Sequence, residues 1–231
     1  MRRSVLMSWS GGKDSALALH ELLSDGRHRV AALLTTVTED YDRISMHGIR
    51  RSLLEQQAAS LGLPLEVVLI PKDCSNDTYE RRMRETLERQ KAAGVTAVAV
   101  GDIFLQDLRL HREQKLSEAG LEAIFPIWGR DTTELARTFI NLGFRGVVTC
   151  VDTQALNGSF AGRAFDERLL ADLPPGVDPC GENGEFHTCV FDGPIFSTPV
   201  RFTKGEVVLR ENRFLFCDLV PFPDAASKET P

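Results

Sequence analysis

The sequence has no apolar run near the roughly 20 residues that a bilayer span needs, so no membrane partner is expected. It has no CxxC pair either. Cys74, Cys150, Cys180, Cys189 and Cys217 are odd in number and irregularly spaced, which argues against a disulfide framework and for a reducing, cytoplasmic setting. Basic blocks are missing too. The formal net charge is −6 and the lysines and arginines are scattered through helical stretches, so direct nucleic-acid binding is not expected. The apolar stretch behind Arg2 and Arg3 is too brief for a signal-peptide core. Internal repeats and low-complexity linkers are absent, as are the phosphate-loop spacing GxxxxGK[ST] and the dinucleotide spacing GxGxxG.

What is present is the balance of a globular chain. Its 231 residues are 42% hydrophobic and 26% charged, enough for one good-sized α/β domain with a small appendage. Six short apolar runs, SVLMSW, VAALLTT, LEVVLIP, AVAVGDI, EAIFPIW and GVVTCVD, read as buried parallel strands. Amphipathic stretches separate them at 16–23, 49–61, 76–94, 108–119 and 132–142, each closed by a glycine, and Asp77 with Glu80 resembles a capping pair. This alternation predicts a doubly wound parallel sheet, because parallel strands need crossovers that cover both faces. Ligands in such folds sit beyond the carboxyl ends of the strands. The loop after the first run, Gly101-Asp102 after the fourth and Asp152 after the sixth all fall there.

Further on the pattern changes. A helix over 160–173, the acid- and glycine-rich stretch PPGVDPCGENGEFHT and a hairpin around Lys204-Gly205 are expected. The expected division is an α/β nucleotide-binding domain over 1–153, a small C-terminal α+β extension over 154–222 and a disordered tail over 223–231.

A strand, then Ser10-Gly11-Gly12-Lys13-Asp14-Ser15, then a helix makes an anion site for definable reasons. Glycines let successive N–H groups face one concavity, the helix N-terminus adds partial positive charge, and the serines add hydroxyl donors. Lys13 supplies a point charge suited to phosphate. The plain alternative is a tight strand-to-helix turn capped by Asp14 or Ser15.

SGGKDS resembles the PP-loop of the adenine nucleotide α-hydrolase superfamily, whose fold is HUP-like. CGENGEFHTCVFDGPIF, together with GDIFLQDLRLHREQKLSEAGLEAIFPIWGRDTTEL, resembles the diphthine–ammonia ligase family, and this resemblance covers nearly the whole chain. It implies a reaction in which ATP, a carboxylate and ammonia give an amide, AMP and pyrophosphate. It implies ATP contacts at Ser10, Gly11, Gly12, Lys13, Asp14, Ser15, Thr35, His47, Gly101 and Asp102, and catalytic roles for Lys13, Asp14, Glu182, Glu185 and His187. Arg109, Arg112, Asp152, Asn183, Gly184 and Thr188 would meet the substrate, and Asp14 would contact Mg²⁺. The implied partners are ATP, ammonia and a carboxylate substrate, protein-bound diphthine if the source is archaeal or eukaryotic, with a homodimer left open.

Residue chemistry fits that scheme on its own terms. A carboxylate is a poor electrophile until its oxygen attacks the α phosphate, and the acyl-adenylate so formed releases AMP when an amine arrives; donors and Mg²⁺ must then meet the departing pyrophosphate. Blander readings stand beside each residue. Arg109 and Arg112 could lie on a solvated helix face, Asn183-Gly184 could be a hairpin turn with solvated acids, and His47 could serve helix entry. A zinc site on Cys180, His187 and Cys189 lacks a fourth ligand, and Cys150 reads as a buried small residue. Two rival functions remain open. A PP-loop tRNA-modifying enzyme would be expected to bring cysteine pairs or an RNA-binding region, and a regulatory adenine-nucleotide binder would share the loop without turnover. No glutaminase domain fits the length, so ammonia is expected to arrive free or from a partner.

Overall fold

A computed structural model describes residues 2–44 and 47–222. In chain order the first sheet takes β1 (Arg3–Ser8), β2 (His28–Thr38), β3 (Arg43–Ile44), β4 (Leu65–Ile70), β5 (Ala97–Ala99) and β6 (Glu122–Ile124). Its parallel strands lie in the order β4-β2-β1-β5-β6, and β3 adds antiparallel to Val37 and Thr38 at the end of β2. Successive connections run one way from β1 and the other way from β5. The crevice between the carboxyl ends of β1 and β5 is therefore the topological switch point, where such sheets take their ligands.

Helices α1 (Lys13–Ser24), α2 (Arg51–Leu61), α3 (Asn76–Ala92) and α4 (Gln106–Glu118) supply the crossovers, and α5 (Thr132–Asn141) leads from β6 to a second sheet. Side-chain alternation along β1 sends Val5 and Met7 into one core with Leu17, Leu19, Leu53 and Leu54 of α1 and α2. Leu6 goes into the other core, with Leu87 of α3 and Leu116 of α4. Both faces are thus covered, as a parallel sheet requires.

The second sheet is antiparallel, in the order β8-β7-β10-β9, from β7 (Arg145–Asp152), β8 (Phe186–Asp192), β9 (Phe202–Arg210) and β10 (Phe214–Pro221). Its Val147, Val151, Phe186 and Val190 join the same core as α1 and α2. The run GVVTCVD is therefore not a sixth parallel strand. It pairs with β8 and β10, so a division after residue 153 leaves β7 on the far side of the boundary from its hydrogen-bonding partners.

Several local expectations are corrected. The second half of the glycine loop, Lys13 to Ser15, is itself the first turn of α1, which starts at Lys13 rather than at 16. Ser75, not Asp77, caps α3, its side chain accepting from the Thr78 N–H. The expected helix over 160–173 is reduced to a 3₁₀ turn at Gly158–Phe160 and α6 (Glu167–Asp172), because Ala164 between them bridges to Val147 of β7. The hairpin turns at Glu211 and Asn212, both left-handed (φ 52° and 49°), while Lys204-Gly205 lies inside β9. The expected tail over 223–231 lies outside the described residues.

Candidate active site

Beyond the carboxyl ends of β1 and β5 lies a cleft of about 210 Å³, floored by Ser10, Lys13, Asp14 and Ser15, walled by Gly101, Asp102 and Arg112, and roofed by Gly181, Glu182, His187 and Thr188. A larger, shallow depression of about 540 Å³ lies at the opposite, amino ends of β1 and β6 and holds none of these groups. The first cleft therefore carries the chemistry.

The floor depends on two glycines. Gly11 is left-handed (φ 74°), and a Cβ there would lie 2.8 Å from Gln57 Oε1 and 2.9 Å from Leu54 Cδ2. A Cβ on Gly101 would lie 2.9 to 3.0 Å from the Asp14 and Ser15 backbone, so only glycine lets the end of β5 touch the first turn of α1. Within the loop, the Gly12 N–H donates to Ser10 Oγ (3.2 Å), Ser10 and Ser15 Oγ lie 3.2 Å apart, and the Lys13 N–H donates to Thr188 Oγ1 (3.0 Å).

The side chain of Lys13 is 2% exposed. Its ammonium pairs with Asp14 Oδ2 (2.9 Å), donates to the Cys180 carbonyl, and lies 5.4 and 5.8 Å from the ring centroids of Phe186 and Phe165. Burial works against that charge, but Asp14 and the other acids outweigh it and raise the lysine pKa. Lys13 thus lies beneath the loop, tied to the roof. Asp14 Oδ1 is buried with no partner among the described residues.

Asp178, which the sequence reading did not single out, organises the roof. Its carboxylate accepts from the Cys180 and Glu182 N–H groups (2.9 and 3.1 Å), which curls the chain back on itself. Glu185 is 6% exposed and points inward, accepting from the Asp178 N–H (3.0 Å) and the Asn183 amide (3.1 Å). Glu185 and Asn183 hold the roof in shape and do not line the cleft; Glu182 and Gly184 do. Glu182 Oε1 accepts from the Ile103 N–H at 2.8 Å, and burial pushes the carboxyl up to about 7 against the pull of that amide. Burial and then the Lys13 charge lower His187 to about 4, and burial with the neighbouring His187 drives His47 well below its usual value, so both rings are neutral at pH 7. The rings are in tilted contact, 4.4 Å between centroids with 37° between their planes.

Of the remaining expected contacts, Asp102 and Arg112 meet in the cleft wall, Nε donating to Oδ2 at 2.6 Å. Burial raises the Asp102 carboxyl despite that arginine. Three residues are not brought to the cleft. Arg109 pairs with Glu113 and lies over Trp128 and Phe125, Asp152 is bound by Arg213 (2.6 Å) in the second sheet, and Thr35 is buried with a hydroxyl that has no partner among the described residues. Thr188 works through its hydroxyl on the loop backbone. Gln57 and Trp9 also escaped the sequence reading; the signal for Gln57 is an amide on the apolar face of α2, beside Leu53, Leu54 and Ala58.

Comparison with known proteins covers both sheets. Residues 1–123 match the diphthamide synthase N-terminal domain, and residues 131–217 match the diphthamide synthase C-terminal domain. The chain is 26% identical over 226 residues to a diphthine–ammonia ligase of Schizosaccharomyces pombe, covering 88% of this chain and 37% of that one. It is 24% identical over 234 residues to the human diphthine–ammonia ligase (90% of this chain, 85% of that one), and 25% identical to that of Danio rerio (88% of each). The chain thus spans little more than a third of the fission-yeast relative but most of the vertebrate ones. With the glycine loop in one matched segment and the acid-rich roof in the other, meeting over one cleft, the chain belongs to the diphthamide synthase family.

Proposed function

We propose that this chain is an ATP-dependent carbon–nitrogen ligase that adenylates a carboxylate, releases pyrophosphate and passes the acyl group to ammonia. The observation that carries this reading is the meeting of the glycine loop and the Glu182–His187 roof over one cleft at the switch point of the sheet. The names of its relatives, diphthine–ammonia ligases, point to diphthine as the carboxylate and ammonia as co-substrate.

In this scheme the phosphates of ATP lie on the Ser10 and Ser15 hydroxyls and the amino end of α1, with the Lys13 charge acting from beneath. Arg112 keeps one donor on Asp102 and offers its other N–H groups to the substrate carboxylate, lining it up with the α phosphate. Glu182, whose carboxyl changes charge near pH 7, accepts the proton that the attacking nitrogen must lose. No three acidic, histidine or cysteine side chains gather into a metal cage among the described residues. Mg²⁺ in nucleotide sites needs only one or two carboxylates beside the phosphates, however, and the unpaired Asp14 Oδ1 fits that place. Bound there, the ion would neutralise charge on the phosphates.

The test is to incubate the pure protein with ATP, Mg²⁺, ammonium and a library of carboxylates, protein-borne diphthine included, and to identify the nucleotide products. AMP with pyrophosphate, dependent on one carboxylate, is the expected result. ADP with phosphate, or ATP left intact with every acid, would overturn the proposal, the second result pointing to a nucleotide-binding regulator.

A further inference from the structure

We infer that Gln57, on α2, is the positioning residue that sets the direction of the phosphate-facing groups in the glycine loop. This rests on the reading of that loop as the ATP site. Gln57 is 0% exposed, and its amide is fully used. Its Oε1 accepts from the Trp9 indole N–H (2.9 Å), and its Nε2 donates to the Gly11 carbonyl (3.1 Å) and to the Val190 carbonyl of β8 (2.6 Å). It shares the buried face of α2 with Leu53, Leu54 and Ala58, and the amide cannot leave without stranding buried polar groups.

The consequence lies in the peptide between Gly11 and Gly12. The Gly11 oxygen is held from two directions, by Gln57 Nε2 and by the Val190 N–H (2.8 Å). A trans peptide is planar, so fixing its carbonyl fixes the opposite direction of the next N–H. That N–H, on Gly12, donates to Ser10 Oγ, whose hydroxyl lines the cleft beside Ser15. Gly11 cannot resist a flip by itself, because glycine is the residue freest to change φ and ψ. The loop therefore takes its orientation from Gln57 together with the N–H of Val190, whose carbonyl Gln57 also holds, and Trp9 decides which end of the amide faces Gly11.

The experiment measures binding of MgATP by calorimetry between pH 5.5 and 8, with near-ultraviolet circular dichroism to establish that each variant is folded. Gln57→Met keeps the shape and loses both donors; it is expected to bind ATP about tenfold or more weakly at every pH, the usual cost of losing an orienting group behind a site. Gln57→Glu places carboxylate oxygens against two carbonyl oxygens at pH 8 and should bind as poorly there. Its affinity should recover as the pH falls, because the protonated acid regains one O–H donor and keeps its acceptor for Trp9. Should both fail to fold, Trp9→Phe, which frees the amide to turn over, is expected to weaken ATP severalfold in a folded protein. Folded variants that bind ATP like the wild type, with no recovery of Gln57→Glu at low pH, would overturn the inference. A wild-type protein that does not bind ATP would instead overturn the nucleotide reading, and this inference with it.

Discussion

Glu182 is where burial and chemistry meet in a single residue. Its carboxyl, raised from the usual 4.5 to about 7 chiefly by burial, binds its proton more tightly in the folded chain than in the unfolded one. The stability this contributes is therefore full below about pH 4.5, declines as the pH rises, and is gone above about 7. Glu182→Gln stays neutral at every pH and keeps the acceptor for the Ile103 N–H. The variant should melt with the wild type near pH 4.5 and above it at pH 8, by roughly 2–4 °C once the cost is discounted for partial exposure to about 1 kcal/mol. Parallel melting curves across that range would show that Glu182 is not the shifted group. A role for it was legible only through the family resemblance of CGENGEFHT, since acid, turn and histidine by themselves suit a hairpin turn with solvated acids equally well; that Glu185, three residues on, turns inward was not legible at all. The direction of a loop carboxylate depends on which backbone N–H groups the fold brings to it, here the N–H of Asp178.

Among elements, the join between β3, α2 and β10 is made by charge. Asp218 on β10 accepts from Arg43 (2.7 Å) and from Arg50 at the amino end of α2 (2.6 Å), and Arg43 also donates to the Gly48 carbonyl (2.8 Å), so the pair brackets His47. Burial alone would raise the Asp218 carboxyl, yet the hydrogen bonds from the two arginines outweigh it and hold it at about 2. A depressed carboxyl contributes stability above its unfolded pKa of 3.8, and this contribution is lost as the pH falls toward 2. Asp218→Asn should cost about 1–2 kcal/mol at pH 7 by urea unfolding, with the difference from wild type shrinking toward pH 3; an undiminished difference at acid pH would place the loss in packing. The parallel sheet and its helices were readable because apolar runs and glycine stops repeat at crossover spacing. The destination of β7 was not, since a fully apolar run such as GVVTCVD suits a parallel sheet or a covered antiparallel one equally, and only its pairing with β8 and β10 decides. Likewise Lys204-Gly205 carries turn chemistry, yet the left-handed pair at Glu211 and Asn212 makes the turn because it lies where β9 and β10 come into register.

On the scale of the whole molecule, the two sheets share more than a boundary. One core runs from β1, α1 and α2 into β7 and β8, and polar links cross between the sheets: Lys13 to Cys180 and Thr188 at the cleft, and away from it Gln57 to Val190 and the Ser60 carbonyl, which accepts from the Ser197 N–H (2.9 Å). A ligand seated on the glycine loop therefore stabilises both sheets, because neither can unfold without breaking the surface that holds it. ATP at 100 times its Kd should add about 2.7 kcal/mol, which in a chain of this length is a rise of roughly 5–11 °C. Calorimetry of the intact protein should show one transition that moves as a unit when MgATP is added. Two transitions, of which only one responds to the nucleotide, would mean that the links between the sheets do not join them into one cooperative body, and that the roof can open without disturbing the floor.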